Sequence, residues 1–142
     1  MFIIPDASIV VKWYVVEPLH EAANTVLELD DVVFAAPAFL KVEVCNAVLK
    51  KVQYGFLPKE RGGHIINHCL QRSDIQFYAA EPYLKSAYQI SETINHSLYD
   101  CLYIAVAQYV GGTVITTDQK FYQQCVSHES YKKHIKQLSD FA

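Results

Sequence analysis

The chain has 142 residues, about half of them hydrophobic, a formal charge of −3 and no stretch approaching the roughly 18 apolar residues of a membrane span. That length predicts one domain over residues 1–142 with a sizeable core, and the acidic balance excludes the basic field of a strong general nucleic-acid binder. Its start lacks the basic residues and cleavage site of a secretory signal, and Cys45, Cys69, Cys101 and Cys125 form no Cys-x-x-Cys pair, so we expect a cytoplasmic protein with buried, reduced thiols and no membrane association.

In chain order, the apolar run Phe2-Ile3-Ile4 reads as a strand that stops on Pro5-Asp6, followed by a short helix to about Val15. A central strand should not contain a proline, so pairing is expected to end before Asp6. His20–Leu29 reads as a helix, and Val32–Ala36 as a strand buried on both faces. Pro37 is expected to open a long helix through about Gln53, with Gly55 as its stop. Pro58–Arg72 is helical, Ile75–Ala79 a strand, and Glu81–Asn95 a helix. Ser97–Val110 is the most apolar helix, ended by Gly111-Gly112. Thr113–Thr116 is a strand, Asp118–Cys125 a short helix, and His134–Leu138 an edge strand. Strands alternating with helices predict an α/β fold, a parallel sheet of about five strands covered by helices on both faces in three α/β/α layers.

Four acids occupy positions where chemistry is built. Asp6 and Asp118 each follow a strand and start a helix, and parallel strands open onto one crevice at their carboxyl ends. Glu43 shares a helix face with Leu40, Asn46, Ala47 and Lys50. Asp100 sits early in the apolar helix, where an uncompensated charge is costly. Each has a structural alternative: Asp6 and Asp118 as N-caps, Asp100 as part of the capping box Ser97-x-x-Asp100, and Glu43 as a charge at the margin of an amphipathic helix. Four carboxylates in one crevice repel by about 1 to 4 kcal/mol per pair at close range. Cations offset that repulsion, and all-oxygen donors suit Mg²⁺ or Mn²⁺, ions that serve phosphodiester hydrolysis.

The segments Asp6-Ala7-Ser8, Glu43-Val44-Cys45-Asn46, Tyr99-Asp100-Cys101-Leu102-Tyr103 and Ile115-Thr116-Thr117-Asp118-Gln119-Lys120-Phe121 resemble, in order and spacing, the four acidic motifs of the PIN-domain nucleases, and most closely the toxin ribonucleases of VapBC-type toxin-antitoxin pairs. The resemblance spans nearly the whole chain. It implies a metal-dependent endoribonuclease acting on single-stranded or loop RNA, with Asp6, Glu43, Asp100 and Asp118 as the catalytic, metal-holding acids. Ser8, Asn46 and Thr116 fall on the polar positions that orient those acids or their waters. It further implies a homodimer and a cognate antitoxin lying over the active site. The chain departs from the pattern at Pro5, where many relatives carry an aliphatic residue, and at Lys120, where some carry a further acid; one metal or two therefore stays open.

Local basic groups offered to RNA are Lys41 with Lys50 and Lys51, Lys59 with Arg61, and Lys132, Lys133 and Lys136. His96, one turn before Asp100, reads as a surface histidine, and the tyrosines Tyr88, Tyr99, Tyr103 and Tyr109 as core and dimer contacts. Two other functions remain open from the residues alone. A phosphoaspartate phosphatase needs a second Asp two positions after the first, where this chain has Ser8. An inactive interaction module would use the acids only as caps.

Overall fold

A computed structural model of the chain describes residues 1–142. Five strands form one sheet: β1 (Phe2–Pro5), β2 (Val33–Pro37), β3 (Ile75–Tyr78), β4 (Thr113–Thr116) and β5 (Ile135–Gln137). All neighbouring pairs are parallel, in the order β3-β2-β1-β4-β5. The helices are α1 (Ala7–Lys12), α2 (His20–Leu27), α3 (Phe39–Gln53), α4 (Lys59–Leu70), α5 (Leu84–Ile94), α6 (Leu98–Val110) and α7 (Gln119–Val126). α1 to α4 pack among themselves, and α5 packs on α6, which lies against β1, β2 and β4. The three-layer α/β/α expectation therefore holds. No helix is long and apolar enough to cross a membrane.

Element ends differ from the sequence reading by one to three residues, as expected where caps rather than periodicity set the boundary. The α5 segment opens with a separate 3₁₀ turn, Glu81–Tyr83. Pro37 is the last residue of β2 instead of the first of α3, because its register with Tyr78 keeps it in the ladder and Ala38 N–H still bonds to Tyr78 O at 2.7 Å.

Pro5 is also a correction. Its pairing has not ended: it stands opposite Ile115 of β4, and Asp6 N–H donates to Ile115 O at 3.2 Å. Backbone groups alternate sides along a strand, so Asp6 faces β4 and Pro5 faces β2. By the same alternation, Ala38 bonds to β3 and Pro37 turns toward β1. Both donorless nitrogens thus face the β1/β2 seam, whose ladder runs only through Phe2↔Val33 and Ile3↔Phe34. A central strand tolerates proline here because no hydrogen bond is asked of it, and the sheet is left unzipped at the carboxyl edge beside Asp6.

The core is one cluster of 34 buried residues, and α6 supplies seven consecutive ones, Cys101 to Ala107. α6 stops at Gly111, whose φ of 71° suits glycine. Gly112 then passes so close to β1 that an added Cβ would lie 2.9 Å from Phe2 O and 2.6 Å from Ile4 Cδ1. This tight turn fixes where β4 enters the sheet. Cys69, Cys101 and Cys125 are buried, Cys45 is partly so, and all four are free thiols.

Candidate active site

The strand order places β1 beside β4 at the point where the chain's progression across the sheet reverses. Crevices at such switch points lie beyond the carboxyl ends of the strands. Asp6 follows β1 and Asp118 follows β4, so both stand at this opening.

Asp6 is the N-cap of α1, accepting from Ser8 N–H at 3.0 Å and Ile9 N–H at 3.3 Å. Ser8 Oγ also donates to its Oδ1 and accepts from Thr117 N–H at 3.4 Å. Fully buried Thr116 lies beside Asp6, where its hydroxyl favours the charged carboxylate, and accepts Asp118 N–H at 3.0 Å. Ser8 and Thr116 therefore tie the two strand ends together around Asp6. Asp118 is exposed and caps α7 through Phe121 N–H at 2.9 Å. The cap reading holds for both residues, and capping does not remove either from the opening.

Glu43 comes from α3 and is held by the buried Tyr103 of α6, whose hydroxyl donates to Oε1 at 2.6 Å. Asn46 stands three residues on, exposed, and lines with Glu43, Ser8, Lys12, Lys50 and Lys51 a cavity of about 380 Å³. Of the basic groups expected to meet RNA, Lys50 and Lys51 line this cavity, although Lys51 is also ion-paired with Glu17 at 2.6 Å. Lys41 instead stacks over Phe77 at 4.3 Å.

Asp100 receives Ser97 as its cap partner, its N–H donating to Ser97 Oγ at 3.3 Å. Its carboxylate turns elsewhere, to His96 Nε2 at 2.6 Å. His96 is a correction to the sequence reading: its side chain is only 10% exposed, stacked on Phe121 with ring centroids 4.6 Å apart. Its other nitrogen, Nδ1, lies 2.6 Å from Gln124 Oε1. His96, Asp100 and Asp118 present ligand atoms within 4.8 Å of one another. The signal for His96 was its four-residue spacing from Asp100; Gln124 and the Tyr103 contact to Glu43 carried none. Tyr103 is core as expected, whereas Tyr88, Tyr99 and Tyr109 are exposed.

The electrostatics join these groups. Burial pushes the Asp6 carboxyl up to about 6, and the Asp100 charge adds to it, against the pull of the bonds from Ser8, Thr116 and Ile9. Burial likewise raises Glu43, with Tyr103 opposing and Asp100 and Asp6 adding. The Tyr103 phenol is held well above its ordinary value by burial and by Glu43. None of the four acids pairs with a Lys or Arg. The donor set is therefore anionic, partly desolvated and short of compensating charge, which fits a hard divalent cation.

A pH dependence follows. Asp6 titrates near 6 in the folded chain against 3.8 as its ordinary value, so the folded state holds the extra proton between those limits. Stability of the metal-free protein should fall as pH rises through that window, by up to about 3 kcal/mol from this group. Urea unfolding of wild type beside Asp6→Asn measures it: the variant's advantage grows between about pH 4 and pH 6 and is flat above. A constant difference across that range would refute the assignment.

This arrangement, a parallel sheet with an acidic crevice at its switch point, defines a three-layer α/β protein with a candidate cation site. The PIN domain family model matches residues 3–126, and the chain belongs to the PIN domain family. Ribonuclease VapC3 of Pyrobaculum aerophilum is 25% identical over 125 residues, covering 84% of this chain and 92% of that protein. Among solved structures, PAE2754 from Pyrobaculum aerophilum superposes with a TM-score of 0.69 at 16% identity, over 99% of this chain and 85% of that one. Mycobacterium tuberculosis VapC20, described as a toxin cleaving the sarcin-ricin loop, gives 0.64 at 11% identity over 77% of this chain and 83% of its own. VapBC2 from Rickettsia felis, bound to a promoter DNA fragment, gives 0.64 at 16% identity over 96% and 98%.

Proposed function

We propose that the chain, as one nuclease domain over residues 1–142, is a divalent-metal-dependent endoribonuclease that acts as the toxin of a toxin-antitoxin pair in the cytoplasm. The observation that carries this reading is the set of four acids at one sheet edge with no Lys or Arg to neutralise them, within a fold shared with VapC proteins. Asp6, Glu43, Asp100 and Asp118 would hold Mg²⁺ or Mn²⁺, which when bound supplies an activated water and charge stabilisation for phosphodiester hydrolysis. Ser8 and Thr116 orient Asp6 through their hydroxyls, and Tyr103 orients Glu43. Lys12, Lys50 and Lys51 line the adjoining cavity, where they would receive backbone phosphates, and Asn46 stands among them to position substrate or water.

The substrate is RNA presented as a single strand or loop, because an acidic crevice at a sheet edge reaches a phosphodiester most readily where no second strand blocks it. A cognate antitoxin is the expected inhibitor, and a second copy of the chain the expected partner. Exposed apolar side chains on α3 and its following turn, Val42, Leu49, Tyr54 and Phe56, supply surface for such contacts.

Incubation of the purified chain with structured and single-stranded RNA in Mg²⁺, Mn²⁺ or EDTA tests the reading. Cleavage should appear with metal and vanish with EDTA. Cleavage that survives EDTA would overturn the mechanism, and no cleavage together with no metal binding by calorimetry would favour an interaction module.

A further inference from the structure

Four acids provide oxygen only, yet a nitrogen is aimed among them. His96 precedes α6 on a turn made by Asn95, which ends α5 at a φ of 55°, a left-handed conformation that Asn tolerates. Its backbone is pinned to Ser91 on both sides, through His96 N–H to Ser91 O at 3.3 Å and Ser91 Oγ to His96 O. Phe121 fixes the plane of the ring, with an interplanar angle of 20°.

Gln124 decides which nitrogen faces the acids. Its Nε2 donates to Asn95 O at 3.2 Å, so its Oε1 is the atom turned to His96 Nδ1. An amide oxygen only accepts, so Nδ1 carries the proton. Nε2 is then the nitrogen facing Asp100, with Asp118 in the same cluster. A histidine that donates one ring N–H to a fixed acceptor and turns the other nitrogen to carboxylates has the arrangement typical of metal-binding imidazoles. Ligands of one ion at about 2.0–2.2 Å lie roughly 3–4 Å apart, so an ion would draw the 4.8 Å cluster in and open the 2.6 Å His96–Asp100 contact, taking the place of the proton between them.

We infer that His96 is a nitrogen ligand of the divalent metal, sharing one metal position with Asp100 and Asp118, and that Gln124 is the positioning residue that sets its ring. The inference rests on the metal-nuclease reading above. It adds a borderline donor to an oxygen site, and imidazole shifts preference from Mg²⁺ toward Mn²⁺.

The test is metal binding by the full chain without RNA. Pulsed electron paramagnetic resonance of bound Mn²⁺ should show nitrogen-14 coupling in wild type, and calorimetry gives the affinities. His96→Gln removes the ring nitrogen, while its amide can still meet Asp100. It should lose the coupling and bind Mn²⁺ about 10–100-fold more weakly, with Mg²⁺ affinity changed by less than about threefold. Gln124→Leu should weaken Mn²⁺ binding about tenfold while Nε2 remains available. Mn²⁺ bound without nitrogen coupling in wild type, or coupling that persists in His96→Gln, overturns the role of His96 and leaves the nuclease reading standing. No binding of either ion by wild type removes both. The wild-type spectrum decides the matter even if His96→Gln folds poorly.

Discussion

Asp6→Asn is expected to reduce RNA cleavage about a thousandfold, close to 4 kcal/mol of transition-state stabilisation, while making the metal-free protein more stable at neutral pH. The two effects have one cause. Burial and the Asp100 charge push the Asp6 carboxyl up to about 6, so at neutral pH its ionised form works against folding. Asn has nearly the same shape and caps helices as well as Asp, so Ser8 N–H and Ile9 N–H keep an acceptor. What disappears is the desolvated charge and its repulsion from Asp100. A gain of about 1–2 kcal/mol is expected in urea unfolding at pH 7, smaller than the full linkage because bonds from Ser8 and Thr116 also weaken. A side chain that served only as a cap would leave cleavage intact on the same substitution. Near-wild-type cleavage, or a loss of stability, would return Asp6 to that simpler role. The trade of stability for charge is common at sites where a ligand later supplies the compensation.

Phe121→Ala should be the most destabilising of the substitutions near the site. Phe121 is 1% exposed, at the start of α7, and its ring lies flat on His96. Truncation of a buried Phe costs about 3–5 kcal/mol through lost transfer energy and the cavity left behind. For a chain of this size, that is a fall in Tm of roughly 10–20 °C. The site should suffer as well, because the backbone N–H of Phe121 donates to the Asp118 carboxylate and its ring holds the plane of His96. Phe121→Leu separates the two contributions. It refills most of the volume and should recover more than half of the lost stability, but it offers no flat face to the imidazole. A melting temperature for Phe121→Ala within a few degrees of wild type would contradict the packing account.

Much of the molecule was legible in sequence because it is written in local periodicity. Five strands and their intervening helices could be read from apolar runs and turn residues, and Asp6 and Asp118 were placed at strand ends by the same pattern. The caps were legible too, since Ser97-x-x-Asp100 and the strand-to-helix junctions are short-range signals. Pro5 was read correctly as a residue that cannot donate, and incorrectly as the end of pairing. A proline removes a bond on one side of a strand only, and which neighbour lies on that side is a matter of sheet order.

The same distinction separates the acids from the groups that hold them. The sequence by itself determined the fold class and put forward the four carboxylates, because each sits in a local pattern of a few residues, and the resemblance to PIN-domain nucleases pointed to their polar neighbours Ser8, Asn46 and Thr116. Only the tertiary structure decided that β1 lies beside β4, that Tyr103 holds Glu43 across 60 positions of chain, and that Gln124 reaches His96 across 28. His96 looked like a surface residue because four-residue spacing shows that it can meet Asp100, not that Phe121 will cover it. Helical and strand periods fix which way a side chain leaves its own element, whereas its partner is chosen by how the elements pack, and here that packing brings the unneutralised acids together.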